Sequence, residues 1–312
     1  MTPETGIQLR IATRGSPLAL AQAHETADRL RAAHTALADD AAIAFQTYRT
    51  TGDRLQTGTL AEAGGKGLFT KEIEQALLDT DADIAVHSMK DMPTELPAGL
   101  MIAAYLPRAD FRDALIGGAQ SLEDLPMGAR VGTASLRRQA ILKSLRPDLI
   151  IETLRGNVNT RLKRVAEGDF DATLLAAAGL TRLGMLNEAS AILSPDEMLP
   201  AICQGIIGIE CREDDQTTRE FLAAIDDRES RIAATAERAF LAALDGSCRT
   251  PIAGLARIEG ENISLRGLII RPDGSETLAA ENAAPITEAA ALGTALGGQL
   301  RDRAGPGFFD DG

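Results

Sequence analysis

Residues 83–93 read Asp-Ile-Ala-Val-His-Ser-Met-Lys-Asp-Met-Pro. The first half of this stretch is apolar and partly β-branched, which predicts a buried strand, and the final proline predicts a turn. In open α/β sheets, ligands bind in the crevice beyond the carboxyl ends of the strands. The stretch therefore favours a site at Ser88, Lys90 and Asp91, although a strand followed by a solvated turn would have the same sequence.

Length and composition indicate a folded protein of more than one domain. The chain has 312 residues, which predicts two or three domains. Hydrophobic residues make up 45% of the chain and charged residues 25%, which is typical of a globular protein and not of a disordered chain. The formal net charge of -13 argues against general nucleic-acid binding but is compatible with a local basic cleft.

The N-terminus and the cysteines predict a cytoplasmic protein with no membrane segment. The first residues contain no basic segment followed by an apolar core, and no run approaches the roughly 18 apolar residues of a membrane span. The cysteines, Cys203, Cys211 and Cys248, form no CxxC pair, which suits a reducing compartment. The three histidines form no cluster with Cys or Asp, so we expect no metal site.

One arrangement recurs along the chain: a predicted strand ends, and an arginine with a hydroxyl or a glycine precedes a helix. In the first example, a strand at residues 8–12 is followed by Arg14, by Ser16 as a helix N-cap, and by a helix over residues 18–33. The same arrangement follows the strands predicted at 130–132, 149–154 and 172–177.

These arginines point to an anionic ligand when they are taken together. Each one alone is typical of a solvated surface side chain, whereas equivalent positions after several strands favour one cleft. The planar guanidinium group suits bidentate binding of carboxylates or phosphates. The arginines in question are Arg14, Arg137, Arg138, Arg155, Arg161 and Arg182.

The second half of the chain predicts a return to the first sheet and then a smaller domain. The apolar run 201–211 predicts a strand that rejoins the first sheet, with Cys203 and Cys211 as buried thiols. A helix over 228–244 leads to Cys248 in a Gly-Ser turn beside Arg249. Positive charge there favours the thiolate, although an ordinary loop cysteine fits the same pattern.

The predicted fold class is α/β. It consists of two hinged, doubly wound domains resembling periplasmic binding proteins and a small C-terminal α+β domain with a three-stranded antiparallel sheet. The first domain takes residues 1–105 and 201–222, the second 106–200, and the third 223–312.

Six stretches resemble the porphobilinogen deaminase family, also called the hydroxymethylbilane synthase family, and together they extend along essentially the whole chain. The first is similar to the family's catalytic segment and the second to its cofactor-attachment signature. They are HSMKDMP at 87–93, ERAFLAALDGSCRTPIA at 237–253, ATRGSPLAL at 12–20, GGKGLF at 64–69, GTASLRRQ at 132–139 and LRGNV at 154–158.

The resemblance implies a transferase of tetrapyrrole biosynthesis. It implies that Cys248 carries a dipyrromethane cofactor through a thioether bond, assembled by the protein from two porphobilinogen units. Four further porphobilinogens are joined head to tail with loss of ammonia, and hydrolysis releases hydroxymethylbilane. The resemblance also implies a monomer whose partner is the small molecule porphobilinogen, with no nucleic acid and no membrane.

The resemblance also assigns roles to the residues found above. Asp91 and Lys90 are the expected catalytic residues, because each step creates a positive charge that a carboxylate can stabilise. The expected cofactor-binding residues are Cys248, Ser88, Lys90, Asp91, Thr133, Ser135, Arg137, Arg138, Arg155 and Lys66. The expected substrate-binding residues are Arg14, Ser16, Arg155, Arg161 and Arg182. Glu62 departs from the family, whose members have a basic residue there, so anion binding at position 62 is in doubt.

Two other classes of protein fit parts of the pattern. A non-enzymatic two-domain anion-binding protein would share the arginine-lined α/β architecture, but nothing in its task requires Cys248. An effector-binding domain of a transcription factor is the third possibility, although no helix-turn-helix motif precedes or follows the α/β segments.

Overall fold

A computed structural model describes residues 8–54, 70–246 and 250–309. Lys66, Glu62 and Cys248 therefore lie outside the described residues. The strands are β1 (Leu9–Arg14), β2 (Ile43–Tyr48), β3 (Ile84–Ser88), β4 (Leu100–Tyr105), β5 (Asp113–Ile116), β6 (Arg130–Gly132), β7 (Ile150–Glu152), β8 (Ala172–Ala176), β9 (Ala191–Ile192), β10 (Ile207–Arg212), β11 (Ile252–Glu259), β12 (Asn262–Ile270) and β13 (Thr277–Pro285).

The helices alternate with these strands. They are α1 (Pro17–Ala33), α2 (Thr51–Arg54), α3 (Lys71–Leu78), α4 (Leu136–Leu145), α5 (Val158–Ala166), α6 (Ala177–Arg182), α7 (Gln216–Ala223), α8 (Arg228–Ala243) and α9 (Ala289–Ala304). Within the described ranges, no helix is both long enough and apolar enough to cross a membrane.

The chain divides into two compact units. Of the described residues, the first unit contains 8–54, 70–108 and 206–231, and the second contains 109–205, 232–246 and 250–309. The division into three domains stays a prediction.

The first unit is built on a five-stranded sheet with the order β2-β1-β3-β10-β4. Strands β1, β2 and β3 are parallel, whereas β10 runs antiparallel between β3 and β4. The core on this sheet is aliphatic: Ile11, Leu30, Ile84 and Ile209 belong to one cluster of buried side chains. Burying such a cluster fixes the sheet, and with it the positions of the strand ends.

The second unit contains a five-stranded sheet with the order β7-β6-β8-β5-β9 and a three-stranded sheet with the order β11-β12-β13. Strands β6, β7 and β8 are parallel, and β5 runs antiparallel between β8 and β9. The three-stranded sheet is antiparallel throughout. The predicted mixed α/β fold with a small antiparallel C-terminal sheet is therefore confirmed.

Three details of the predicted secondary structure were wrong. The strand expected over 201–211 begins only at Ile207, and the residues before it form turns. Strand β5 was not predicted, because its four residues are too few to show a period. Arg182 is the last residue of α6 and does not precede that helix.

Candidate functional site

In the first unit, the predicted catalytic residues lie directly after the buried strand β3. Ile84 to Val86 are buried, and Ser88 ends the strand. A 3-10 turn, Met89–Asp91, follows and is here called the Met89 turn. Lys90 in this turn is half-buried, and Asp91 is exposed. The carboxylate of Asp91 is thus open to solvent although its backbone starts from the centre of the sheet.

The Met89 turn is fixed by contacts with the chain around β10. The Met89 N–H donates to the carbonyl oxygen of Ile206 at 3.0 Å, and the Met92 N–H donates to the Met89 carbonyl oxygen at 3.2 Å. The Met89 side chain is only 2% exposed. A Cβ atom added at Gly208 would lie 2.1 Å from the Met89 sulfur, so only glycine leaves room for this side chain. These contacts therefore fix the position of the turn that carries Lys90 and Asp91.

Arg14 and Ser16 lie at the same edge of the first sheet as Ser88. Strands β1 and β3 are parallel neighbours, with Ala12 opposite Ala85, so both strands end at this edge. Arg14 is half-buried, and the Ser16 side chain accepts a hydrogen bond from the Ala19 N–H at 3.3 Å as the N-cap of α1. The first unit therefore brings Arg14, Ser16, Ser88, Lys90 and Asp91 to neighbouring strand ends.

Sequence reasoning missed two partners of this segment. Gln22, on the buried face of α1, donates from Nε2 to the Ser88 Oγ at 2.8 Å. A polar residue among the apolar positions of an amphipathic helix is the signal that could have identified Gln22. His87 and Glu210 are both buried and lie 2.9 Å apart (Nε2 to Oε2), and no local pattern predicts that contact because β10 supplies Glu210.

A second buried carboxylate lies near this imidazole. Glu74 on α3 is 6% exposed, and its Oε1 has no hydrogen-bond partner among the described residues. Burial raises the pKa of the Glu74 carboxyl, and the negative charge of Glu210 raises it further, whereas Thr70 and His87 lower it. The back of β3 is thus lined by titratable groups that do not reach the exposed side.

In the second unit, Thr133 and Ser135 shape the segment between β6 and α4. Ser135 is the N-cap of α4 and accepts a hydrogen bond from the Arg138 N–H at 3.4 Å. Thr133 is buried, and its Oγ1 accepts from the Ser135 N–H at 3.2 Å. These bonds define the start of α4 and therefore the direction of the arginines on its first turn.

Arg137 and Arg138, here called the arginine pair, are buried, although each arginine alone was read as a solvated side chain. Their exposed fractions are 4% and 5%. Arg137 donates to Asp113 Oδ2 and Arg138 to Asp113 Oδ1, both at 2.7 Å. Burial alone raises the pKa of the Asp113 carboxyl, but the two guanidinium charges outweigh burial and hold that pKa well below its ordinary value.

The other predicted arginines of the second unit occupy different surroundings. Arg155 is half-buried, and its Nε is buried without a hydrogen-bond partner in the described ranges. The Arg161 Nε donates to the carbonyl oxygen of Gly156 at 2.9 Å. The Arg182 Nη2 donates to the carbonyl oxygen of Gly205 at 3.2 Å. Arg155 thus lies between β7 and α5, Arg161 lies within α5, and Arg182 ends α6.

These side chains define a class. The first unit presents an ammonium group and an exposed carboxylate after a buried strand, and the second unit pairs two buried guanidinium groups with the single carboxylate of Asp113. They belong to an α/β protein with cationic groups at its strand ends, and guanidinium groups have the geometry for bidentate bonds to carboxylates.

Comparison with known proteins identifies the family. The family model described as "Porphobilinogen deaminase, dipyromethane cofactor binding domain" matches residues 9–220. The model described as "Porphobilinogen deaminase, C-terminal domain" matches residues 231–302. The chain belongs to the porphobilinogen deaminase family.

Individual relatives are similar along nearly the whole chain. The porphobilinogen deaminase of Paracoccus denitrificans is 58% identical over 309 residues, which cover 99% of this chain and 98% of that protein. The chloroplastic porphobilinogen deaminase of Pisum sativum is 52% identical over 307 residues, covering 97% of this chain and 83% of that protein. A solved periplasmic binding protein from Salmonella typhimurium has a TM-score of 0.38 and 13% identity, covering 72% of this chain and 96% of that chain.

Family membership confirms the predicted activity class. The chain is a transferase of tetrapyrrole synthesis that joins porphobilinogen units into hydroxymethylbilane, and it contains the dipyrromethane cofactor-binding domain. The two non-enzymatic alternatives are therefore excluded.

Proposed function

We propose that Asp91 is the catalytic carboxylate of this enzyme, that Lys90 assists it, and that Cys248 carries the dipyrromethane. Loss of ammonia from porphobilinogen leaves a positive charge on the substrate, and a fixed carboxylate nearby stabilises that charge. The observation that carries this proposal is how the Met89 turn is held. Met89 is hydrogen-bonded to Ile206 and packs on Gly208, whereas Asp91 is exposed. A carboxylate that is already held in position does not have to be reoriented during the reaction.

Asp91 also has a proton-transfer role in this proposal. Joining two pyrrole rings releases a proton from the attacking ring carbon, and a positioned carboxylate accepts such a proton. Lys90 and Ser88 would bind carboxylates of the bound rings beside Asp91. The hydroxyl of Ser88 is oriented for this by the amide of Gln22.

The residues of the second unit fit a ligand with several carboxylates. The arginine pair has two guanidinium groups and shares one carboxylate, Asp113. The Nε atoms of Arg137, Arg138 and Arg155 are buried and have no partner within the described residues. Buried N–H groups require acceptors, which the acetate and propionate groups of the dipyrromethane would supply.

We assign the remaining predicted residues in the same way. Thr133 and Ser135 would bind the cofactor beside the arginine pair, together with Lys66. Arg14 and Ser16 of the first unit, and Arg155, Arg161 and Arg182 of the second, would bind the carboxylates of incoming porphobilinogens. When bound, the dipyrromethane supplies the pyrrole ring to which the first substrate is joined.

The surroundings of the other two cysteines support Cys248 as the attachment point. Cys203 and Cys211 are both buried thiols. Burial raises the pKa of the Cys211 thiol to about 11, so it is a poor nucleophile near neutral pH. The chain leading to residues 247–249 is closely packed, because a Cβ atom at Gly246 would lie 2.4 Å from the Ile252 side chain.

Intact-mass measurement tests the proposed attachment. We expect the wild-type chain to be heavier than its sequence by one dipyrromethane and Cys248→Ala to have the sequence mass. The matched control is Cys211→Ala, which removes a buried thiol and should keep the extra mass. An unmodified wild-type chain, or a modified Cys248→Ala chain, would contradict the proposal.

We further propose that the enzyme works as a cytoplasmic monomer with three domains and without nucleic acid. The net charge of -13 supports the last point. Light scattering during size-exclusion chromatography tests the monomer, since a mass near twice 32.9 kDa would contradict it. Limited proteolysis tests the third domain, which should be released by cleavage near residue 223.

A further inference from the structure

Asp113 is the centre of a buried hydrogen-bond network in the second unit. It is the first residue of β5 and is 0% exposed. Its Oδ1 accepts from the Arg138 Nη2 at 2.7 Å and from the Gln204 Nε2 at 2.9 Å, and its Oδ2 accepts from the Arg137 Nη2 at 2.7 Å. One carboxylate thus accepts hydrogen bonds from three side chains.

The antiparallel direction of β5 explains how Asp113 reaches the arginine pair. Asp113 lies opposite Ala176, the last residue of β8. Strand β6 is parallel to β8, so α4 begins at this same edge of the sheet. The first residue of an antiparallel strand therefore meets the first turn of a helix that follows a parallel strand.

The contacts leave an excess of positive charge at the arginine pair. Arg137 also donates to the Leu199 carbonyl oxygen and Arg138 to the Leu174 carbonyl oxygen, each at 2.7 Å. Both of these acceptors are neutral, and Asp113 is the one carboxylate paired with the arginines among the described residues. Burying two cations with one anion is costly, and a further anion beside the pair would reduce that cost.

We propose that Asp113 is a positioning residue for the cofactor: it holds both guanidinium groups of the arginine pair in place and leaves one positive charge for the dipyrromethane. This inference rests on the proposed function. Asp113 would act through the arginine pair and would not touch the ligand. In each arginine of the pair, Nη2 donates to Asp113, whereas Nε has no hydrogen-bond partner among the described residues.

A purely structural role for Asp113 makes a different prediction. A buried ion pair that only stabilises the fold would change the stability of the chain when broken, and the folded fraction would still load the cofactor. A positioning role changes the loaded fraction of the protein that has folded. Intact mass and thermal unfolding, measured on the same folded sample, separate these two effects.

The test compares Asp113→Asn with Asp148→Asn in the full-length chain. Asp148 is the matched control because it accepts two hydrogen bonds from Arg146 in the same unit, at 2.7 Å each, and is not part of the proposed site. We expect folded Asp113→Asn to carry the dipyrromethane in less than about a tenth of its molecules, because the two guanidinium groups would no longer be held in the geometry that cofactor loading needs. We expect Asp148→Asn to be loaded like the wild type.

Gln204→Met is the second variant and keeps the proposal testable if Asp113→Asn fails to fold. It removes one donor to Asp113 without changing the charge. The loaded fraction of this variant should fall about threefold, in line with the loss of one hydrogen bond. Full loading of folded Asp113→Asn would overturn the proposal. If Asp113→Asn does not fold, full loading of Gln204→Met would overturn the proposal. A loss of cofactor in Asp148→Asn as large as in Asp113→Asn would also overturn it. An unmodified wild-type chain would contradict the proposed function instead.

Discussion

The two five-stranded sheets share a strand arrangement but differ in the charged groups that follow their strands. In each five-stranded sheet one strand runs antiparallel to both of its neighbours, β10 in the first unit and β5 in the second. Past β3 the first unit exposes the carboxylate of Asp91, whereas the second buries Arg137 and Arg138. The shared arrangement places charged residues at corresponding strand ends, and in the proposed function those of the first unit include the catalytic carboxylate.

In both units, a residue of the antiparallel strand holds the neighbouring charged segment in position. Gly208 on β10 leaves room for Met89, and Asp113 on β5 pairs with the arginine pair. An antiparallel strand can therefore orient residues that follow the ends of neighbouring parallel strands.

The largest effect on stability is expected from Asp113→Asn. Breaking a buried ion pair costs roughly 3–5 kcal/mol. The pKa of Asp113 lies below its ordinary value in the folded chain, so its stabilisation is present above about pH 4 and is lost as the pH falls. The difference in free energy of unfolding between wild type and variant, measured in urea, should therefore shrink from pH 6 to pH 3. A difference that does not change with pH would contradict this account of the second unit.

An intermediate effect is expected from Gly208→Ala, which tests how the Met89 turn is held. The new methyl group would lie 2.1 Å from the Met89 sulfur, and overpacking of this kind costs roughly 1–3 kcal/mol. Displacing Met89 also moves Lys90 and Asp91, so we expect kcat to fall as well.

The double variant Met89→Ala, Gly208→Ala is the control for this clash. Removing the methionine sulfur removes its clash with the new methyl group, so the cost of the double variant should be clearly less than the sum of the two single costs. Additive costs in urea unfolding would show that Gly208 does not hold the turn in the way described.

The smallest effect is expected from Gln22→Leu. This change removes the donor to the Ser88 Oγ, which is worth about 1 kcal/mol. The KM for porphobilinogen should rise several-fold while kcat changes less. Thr26→Val is the matched control, because Thr26 is buried on the same helix and bonds to the Gln22 carbonyl oxygen instead. Equal changes of KM in Gln22→Leu and Thr26→Val would contradict the role of Gln22 in orienting Ser88.

Much of the fold could be predicted from local sequence pattern. The strand ending at Ser88 and the helix capped by Ser16 have clear periods and capping residues, and the structure contains both. Strand β5 was missed because a four-residue strand shows no period. The strand expected from 201 begins at Ile207, since an apolar run does not distinguish a buried turn from a strand.

The candidate site was less predictable than the fold, for a physical reason. The burial of Arg138 depends on Asp113, which is 25 positions away, and the environment of His87 depends on Glu210, which is 123 positions away. Such contacts are set by the pairing of β5 and β10 within their sheets and leave no trace in neighbouring residues. Charged residues at a helix start read as exposed unless their distant partners are known.

Steady-state kinetics of Asp91→Asn is the most direct test of the central claim, that the first unit does the chemistry and the second binds charge. We expect kcat to fall by roughly 10²–10⁴, as for loss of a general acid or base, while KM changes little and the chain stays folded. Arg155→Leu should instead raise KM more than it lowers kcat, and Asp79→Asn, an exposed carboxylate on the first unit, should change neither. A kcat of Asp91→Asn within about threefold of wild type would contradict the account, because a catalytic carboxylate contributes far more than that.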